Sequence, residues 1–190
     1  MEALMGIFSA FGLSASAGLN AYIPLLVVAL LARYTDLIKL SSPWDTLTSP
    51  WVIGLLLVLL TIEFFADKAP AINHVNDALQ TFVRPAAGAI VFAASSGAVS
   101  EVHPVLAMGL GILVAGSVHT VKSAAVRPAV TATTGGAGNI PVSILEDVVS
   151  TTLSILAVVL PVLIAMVVIL FTSWVIWWLW RRANRAQTMA

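Results

Sequence analysis

Six uncharged runs, at residues 3–32, 46–62, 85–100, 104–118, 128–145 and 148–180, divide this chain, and its charged groups are confined to the stretches between and beyond them. Runs of about 17–25 apolar residues match the hydrocarbon thickness of a bilayer. With 9% charged residues and a mean hydropathy of +1.01, the chain reads as an all-α, polytopic helical membrane protein. About six membrane segments fit within its length, with broken or re-entrant helices and internal repeats among them. One integral membrane domain over residues 1–190 leaves no room for a separate soluble one.

Several function classes lose support at once. The net charge is zero, which gives a nucleic-acid partner no electrostatic footing. Cysteine is absent, so disulfides and thiolate metal sites are excluded. The sequence holds no HExxH, no GxSxG and no phosphate loop; it therefore supports no catalytic residue, metal site or cofactor. No basic residue precedes Arg33, which is the wrong flank for a secretory signal peptide, so the first apolar segment is expected to remain as an anchor.

Lysine and arginine decide orientation. Six spans with both termini cytoplasmic put Lys68, Arg84, Lys122, Arg127, Arg181, Arg182 and Arg185 inside and only Arg33 and Lys39 outside. Trp174, Trp177, Trp178 and Trp180, followed by those terminal arginines, form an aromatic belt capped by positive charge, and Pro161 is expected to kink the last run.

Two segments resemble each other. Residues 14–24 (SASAGLNAYIP) and 131–141 (TATTGGAGNIP) share Ala15/Ala132, Gly18/Gly135, Ile23/Ile140 and Pro24/Pro141 without a gap. A second ungapped pairing sets Pro50 against Pro104 and Lys68 against Lys122, each followed by an Arg-Pro pair, Arg84-Pro85 and Arg127-Pro128. Small and polar residues before a proline interrupt a helix, and backbone groups freed inside a bilayer must be buried in protein or line a wet cavity. Asn20 and Asn139 in these breaks are thus candidate substrate contacts, with close packing through small residues as the alternative. Ala107, Gly111 and Ala115, four apart, read as a packing face.

The charged residues carry the functional signal, because ionisable groups near a bilayer are costly and mark binding sites, proton paths or internal ion pairs. Glu63 and Asp67, four apart, share a helix face, and Lys68 follows them. They are candidate coupling groups, together with Glu146 and Asp147 beyond the second break. His119 and Lys122, three apart, join Lys68, Arg84 and Arg127 as candidate contacts for an anion. Between them, residues 72–84 form an amphipathic pattern too short and polar to span, expected to lie in the headgroup plane or to turn its polar stripe to a pore.

The stretches GLSASAGLNAYIPLL (12–26), EFFADKAPAINHVNDALQTFVRPAAGA (63–89) and HTVKSAAVRPAVTATTGGAGNIPVSILEDV (119–148) together resemble a family of small bacterial membrane proteins catalogued as domain of unknown function 4126. The resemblance implies an integral protein of the bacterial inner membrane and carries no reaction with it. The expected function is transport or translocation of an anionic or amphipathic solute, such as a lipid phosphate, with membrane lipids as partners. A channel, an intramembrane enzyme and a non-transporting scaffold are the alternatives; the scaffold would have every charge paired.

Overall fold

Prolines and small residues set the helix boundaries. Pro50 and Pro104 each open a helix, where the missing N–H is no loss because first-turn donors have no intrahelical acceptor. The computed structural model describes residues 2–68, 73–96 and 103–161, together with residues 163, 166, 170, 173, 174, 177 and 181. Its elements are α1 (Glu2–Leu19), α2 (Tyr22–Tyr34), a 3₁₀ turn (Trp44–Thr48), α3 (Pro50–Ala66), α4 (Asn73–Ser96), α5 (Pro104–Val121), a π-turn (Lys122–Val126), α6 (Arg127–Thr134) and α7 (Asn139–Val159). Among the described residues there is no strand. Three helical stretches, Ala78–Ser96, Pro104–Thr134 and Asn139–Val159, are long and apolar enough to cross a membrane, and Met5–Leu19, Tyr22–Tyr34 and Pro50–Ala66 are shorter apolar helices.

The first uncharged run is a helical hairpin. Ser14 on α1 meets Gly88 and Gly111, and Phe11 stacks edge-on against Phe92, so α1 runs antiparallel to α4 and parallel to α5. Its C-terminal end reaches Lys122, whose ammonium bonds to Leu19 O at 3.0 Å. After the break at Asn20 the chain returns, for Arg33 at the end of α2 bonds to Thr48 O just before α3, and Trp44 packs beside Ala10, Phe92 and Ala107. The start of α1 therefore lies at the opposite end of the bundle from Lys68, Arg84, Lys122 and Arg127. A cytoplasmic amino terminus sharing their side does not hold in this fold. The reason is length: residues 3–32 suffice for two short helices, and charge counting cannot see the reversal.

Residues 104–134 run on as a single helical stretch of 31 residues with a π-turn in it. At 1.5 Å per residue that is about 46 Å, longer than the ~30 Å hydrocarbon core. The glycine-rich break at 135–138 is thus an exposed hairpin tip beyond α6. Gly135 and Gly136 take the left-handed conformation there, with φ of 61° and 92°. The last run is also divided: α7 ends at Val159, so Pro161 follows a helix end instead of kinking a helix interior. Arg181 sits over the Trp177 ring, 4.9 Å from its centroid, a cation–π contact. Trp178, Trp180, Arg182 and Arg185 lie outside the described residues.

The amphipathic stretch is the first half of α4, and it is inverted relative to a water-soluble helix. Asn76, Gln80 and Arg84 are buried while Leu79 and Phe82 are 61% and 79% exposed. It is a bundle element with its polar stripe inward, not a helix floating in the headgroup plane. Ala107, Gly111 and Ala115 do form the packing face. A Cβ on Gly88 would lie 2.8 Å from Gly111 O, and one on Gly18 2.6 Å from Ala115 O, so α1, α4 and α5 approach closely through small residues.

Candidate functional site

The charges converge where α1, α3, α4, the π-turn and α7 meet. Glu63 and Asp67 leave the last turn and end of α3 on one face. Arg84 comes from the inward stripe of α4 and bonds Glu63 Oε1 at 3.0 Å, reaching Asp67 at 3.7 Å. The π-turn brings in Lys122 and delivers Arg127 one turn later. Lys122 lies 2.8 Å from Glu146 and 3.8 Å from Asp67; Arg127 lies 3.1 Å from Asp67 and 3.4 Å from Glu146. Lys68 closes the network from α3 to α7, 3.1 Å from Asp147, with its ammonium 3.3 Å from the Phe64 ring centroid.

Asp67 is the hub. Besides three cations it accepts from Asn76 Nδ2 at 2.6 Å and from Ser143 Oγ at 3.4 Å. Burial pushes its carboxyl up, yet Lys122, Arg127 and Arg84, helped by Asn76, outweigh that and hold it below the usual carboxylate range. Glu63 differs: it is almost wholly buried, and its Oε2 has no hydrogen-bond partner.

His119 is an uncharged member, by hydrogen-bond logic. Arg84 has only donors to offer, so His119 Nδ1, 3.2 Å from it, accepts. The ring proton is then on Nε2, which donates to Thr81 Oγ1 at 3.2 Å. Four carboxylates (Glu63, Asp67, Glu146, Asp147) thus face four cations (Lys68, Arg84, Lys122, Arg127), and the network sums to zero.

Asn20 caps α2 through Oδ1, which accepts from Tyr22 N and Ile23 N at 3.1 Å, and its Nδ2 donates to Asp147 at 3.0 Å. Asn139 is not in the site. It exchanges hydrogen bonds with Thr131 at the exposed hairpin tip, because the chain after α6 leaves the bundle before turning back. All the other candidate residues come together. Sequence reading did not single out Asn76 as a ligand of Asp67, although its eight-residue spacing from Arg84 on a helix was the signal. It missed too that Ser143, Glu146, Ser150 and Ser154 share one buried face of α7. Along that face Ser16 Oγ lies 2.7 Å from both Ser150 Oγ and Ser154 Oγ, which fastens α1 to α7.

A cavity of about 500 Å³ opens beside the network, between the C-terminal part of α5, the π-turn and α7. Its walls include Leu19, Val118, Val121, Val126, Leu145 and Val149, and its charged groups are Lys122 and Glu146. The family described as a domain of unknown function (DUF4126) matches residues 7–182. No curated protein and no solved structure matches the chain.

Proposed function

We propose that this chain, which belongs to the DUF4126 family, is a bacterial inner-membrane translocase of an anionic, amphipathic solute such as a lipid phosphate, driven by protons. The observation that carries the reading is a fully ion-paired set of eight buried or half-buried charges opening onto an apolar cavity at Lys122 and Glu146. Replacing buried ion pairs by apolar residues is often neutral or stabilising, so stability alone gives little reason to keep them. Charge balance then dictates the mechanism. A phosphate monoester that enters in its singly charged form and reaches Lys122 and Arg127 leaves the site one charge negative, and in a low-dielectric interior that excess is expensive. Uptake of one proton restores neutrality.

Glu63 is the residue to take it. Asp67 is committed to three cations and two further donors, whereas Glu63 Oε2 is free to receive a proton while Oε1 keeps Arg84. The like placement of Lys68 and Lys122, each just after a helix opened by proline, supports an internal repeat with the site where its halves meet. The Lys/Arg-rich end of the bundle is cytoplasmic on this reading, which puts the amino terminus outside. A cysteine introduced at Met5 should react with an impermeant thiol reagent from outside intact cells, and one at Lys68 should not. Reaction of Met5→Cys only after cell lysis would reverse that orientation.

The transport test uses the full chain in proteoliposomes with radiolabelled dodecyl phosphate and an imposed pH gradient. Wild-type protein should carry the probe faster with the gradient than without. Glu63→Gln should abolish that gradient dependence, and Lys122→Gln should slow flux about 10- to 100-fold, the equivalent of one charge-assisted hydrogen bond. Gradient-independent flux in the wild type, or none, removes the coupling. A scaffold is the second reading, favoured by the complete pairing of the four cations, and it predicts no flux from a well-folded protein.

A further inference from the structure

We propose that the cleft between α5 and α7 is a lateral portal that holds the single hydrocarbon chain of a phosphate monoester lipid, with the phosphate reaching Lys122. This rests on the translocase reading and names the substrate class of its site.

The cleft is two-natured. Leu19, Val118, Val121, Val126, Leu145 and Val149 offer it branched aliphatic walls, and behind them lie Lys122 and Glu146, buried and paired at 2.8 Å, so that a phosphate reaches the ammonium by displacing the Glu146 carboxylate. Val121 and Leu145 at the mouth are each 60% exposed on helices that would face acyl chains, so the cleft opens toward the bilayer and not along the bundle axis. Its volume falls within the ~300–1,000 Å³ typical of small-ligand sites.

The π-turn produces this geometry. In an uninterrupted α-helix Lys122 and Arg127, five apart, would diverge by about 140°; here the wider turn brings both to Asp67 and Glu146 and leaves Val126, 40% exposed, on the wall of the cleft. Turns of this kind recur at functional sites. A hydrophilic anion would gain nothing from the aliphatic walls and would have to cross hydrocarbon to arrive. An uncharged chain would gain the walls but nothing from the Lys122 ammonium, which is the charge complement of a phosphate and already sits beside an exchangeable carboxylate. A single-chain phosphate uses both.

The test reconstitutes the full chain in phosphatidylcholine nanodiscs with photoreactive dodecyl phosphate, and maps labelled peptides by mass spectrometry. Labelling should concentrate on 117–126 and 142–149 and exceed that by photoreactive dodecanol about tenfold, a difference of ~1.4 kcal/mol. Excess dodecyl phosphate should compete; inorganic phosphate should not. Val149→Trp, which fills the cleft, should cut labelling about tenfold, with Leu145→Trp, one turn earlier on the same wall of α7, as a second variant should the first not fold. Equal labelling by dodecanol, equal competition by inorganic phosphate, undiminished labelling in the filled variants, or labelling elsewhere or not at all would overturn the proposal. Labelling without flux would retain the cleft and remove transport. Flux of inorganic phosphate without labelling would do the reverse.

Discussion

The two helix breaks with matching sequences, 14–24 and 131–141, fold into helical hairpins with opposite surroundings. At the first, Asn20 is buried, caps α2 and bonds to Asp147. At the second, the chain turns through Gly135 and Gly136, and Asn139 bonds locally, to Thr131. A break in the bundle interior must satisfy its freed backbone groups with side chains, and the side chain that does so here also holds the network. A break beyond the hydrocarbon region can leave them to water, so glycine suffices.

This contrast can be broken most forcefully beside the buried break. Asp67→Ala removes the hub of Arg84, Lys122 and Arg127 and should destabilise the protein by about 3–5 kcal/mol, read as a lowered denaturation midpoint in detergent. The same group predicts a pH effect. Its carboxyl is held below the ordinary value, so its contribution is fully present above about pH 4 and is lost as pH falls through the lowered folded value. Asp67→Ala should lack that component of acid unfolding; an identical acid limb would exclude Asp67 as its source.

Asn20→Ala should cost about 1–3 kcal/mol, from the lost cap and the lost partner of Asp147. If it costs no more than Asn139→Ala, the two breaks are energetically alike and the distinction fails. At the exposed tip, Gly135→Ala forces a side chain into the left-handed region and should cost about 1–2 kcal/mol, with nothing packed near it to add to that figure. Asn139→Ala should stay within about 0.5 kcal/mol, as for surface substitutions generally. A loss above 2 kcal/mol in thermal unfolding would mean that the tip is covered in the membrane.

Much of this was legible from residues alone. Long apolar runs and scarce charge are enough for an all-helical chain compatible with a membrane, because only backbone bonded within itself survives there. The convergence of Glu63, Asp67, Lys68, Arg84, Lys122, Arg127, Glu146 and Asp147 was foreseeable too, since isolated charges in that setting are too costly to leave apart. The stripe Ala107, Gly111, Ala115 announced close packing for the same reason that it delivers it: small side chains let backbones approach.

Tertiary structure decided direction and depth. Hydropathy measures how long a run is, not whether it reverses, so only the contacts of Arg33 and Trp44 with the far end of the bundle make residues 3–32 a hairpin. A polar stripe on a helix likewise has no sign until its neighbours are known; Asn76 and Arg84 face inward because Glu63, Asp67 and His119 are there to meet them. The π-turn and the cleft beside it lie where Lys122 bonds to Glu146 and Leu19 O from other helices, contacts across 24 and 103 residues of sequence that no local pattern announces. Composition determined what had to be buried together; which face, which end and which opening followed from long-range pairing that no local pattern encodes.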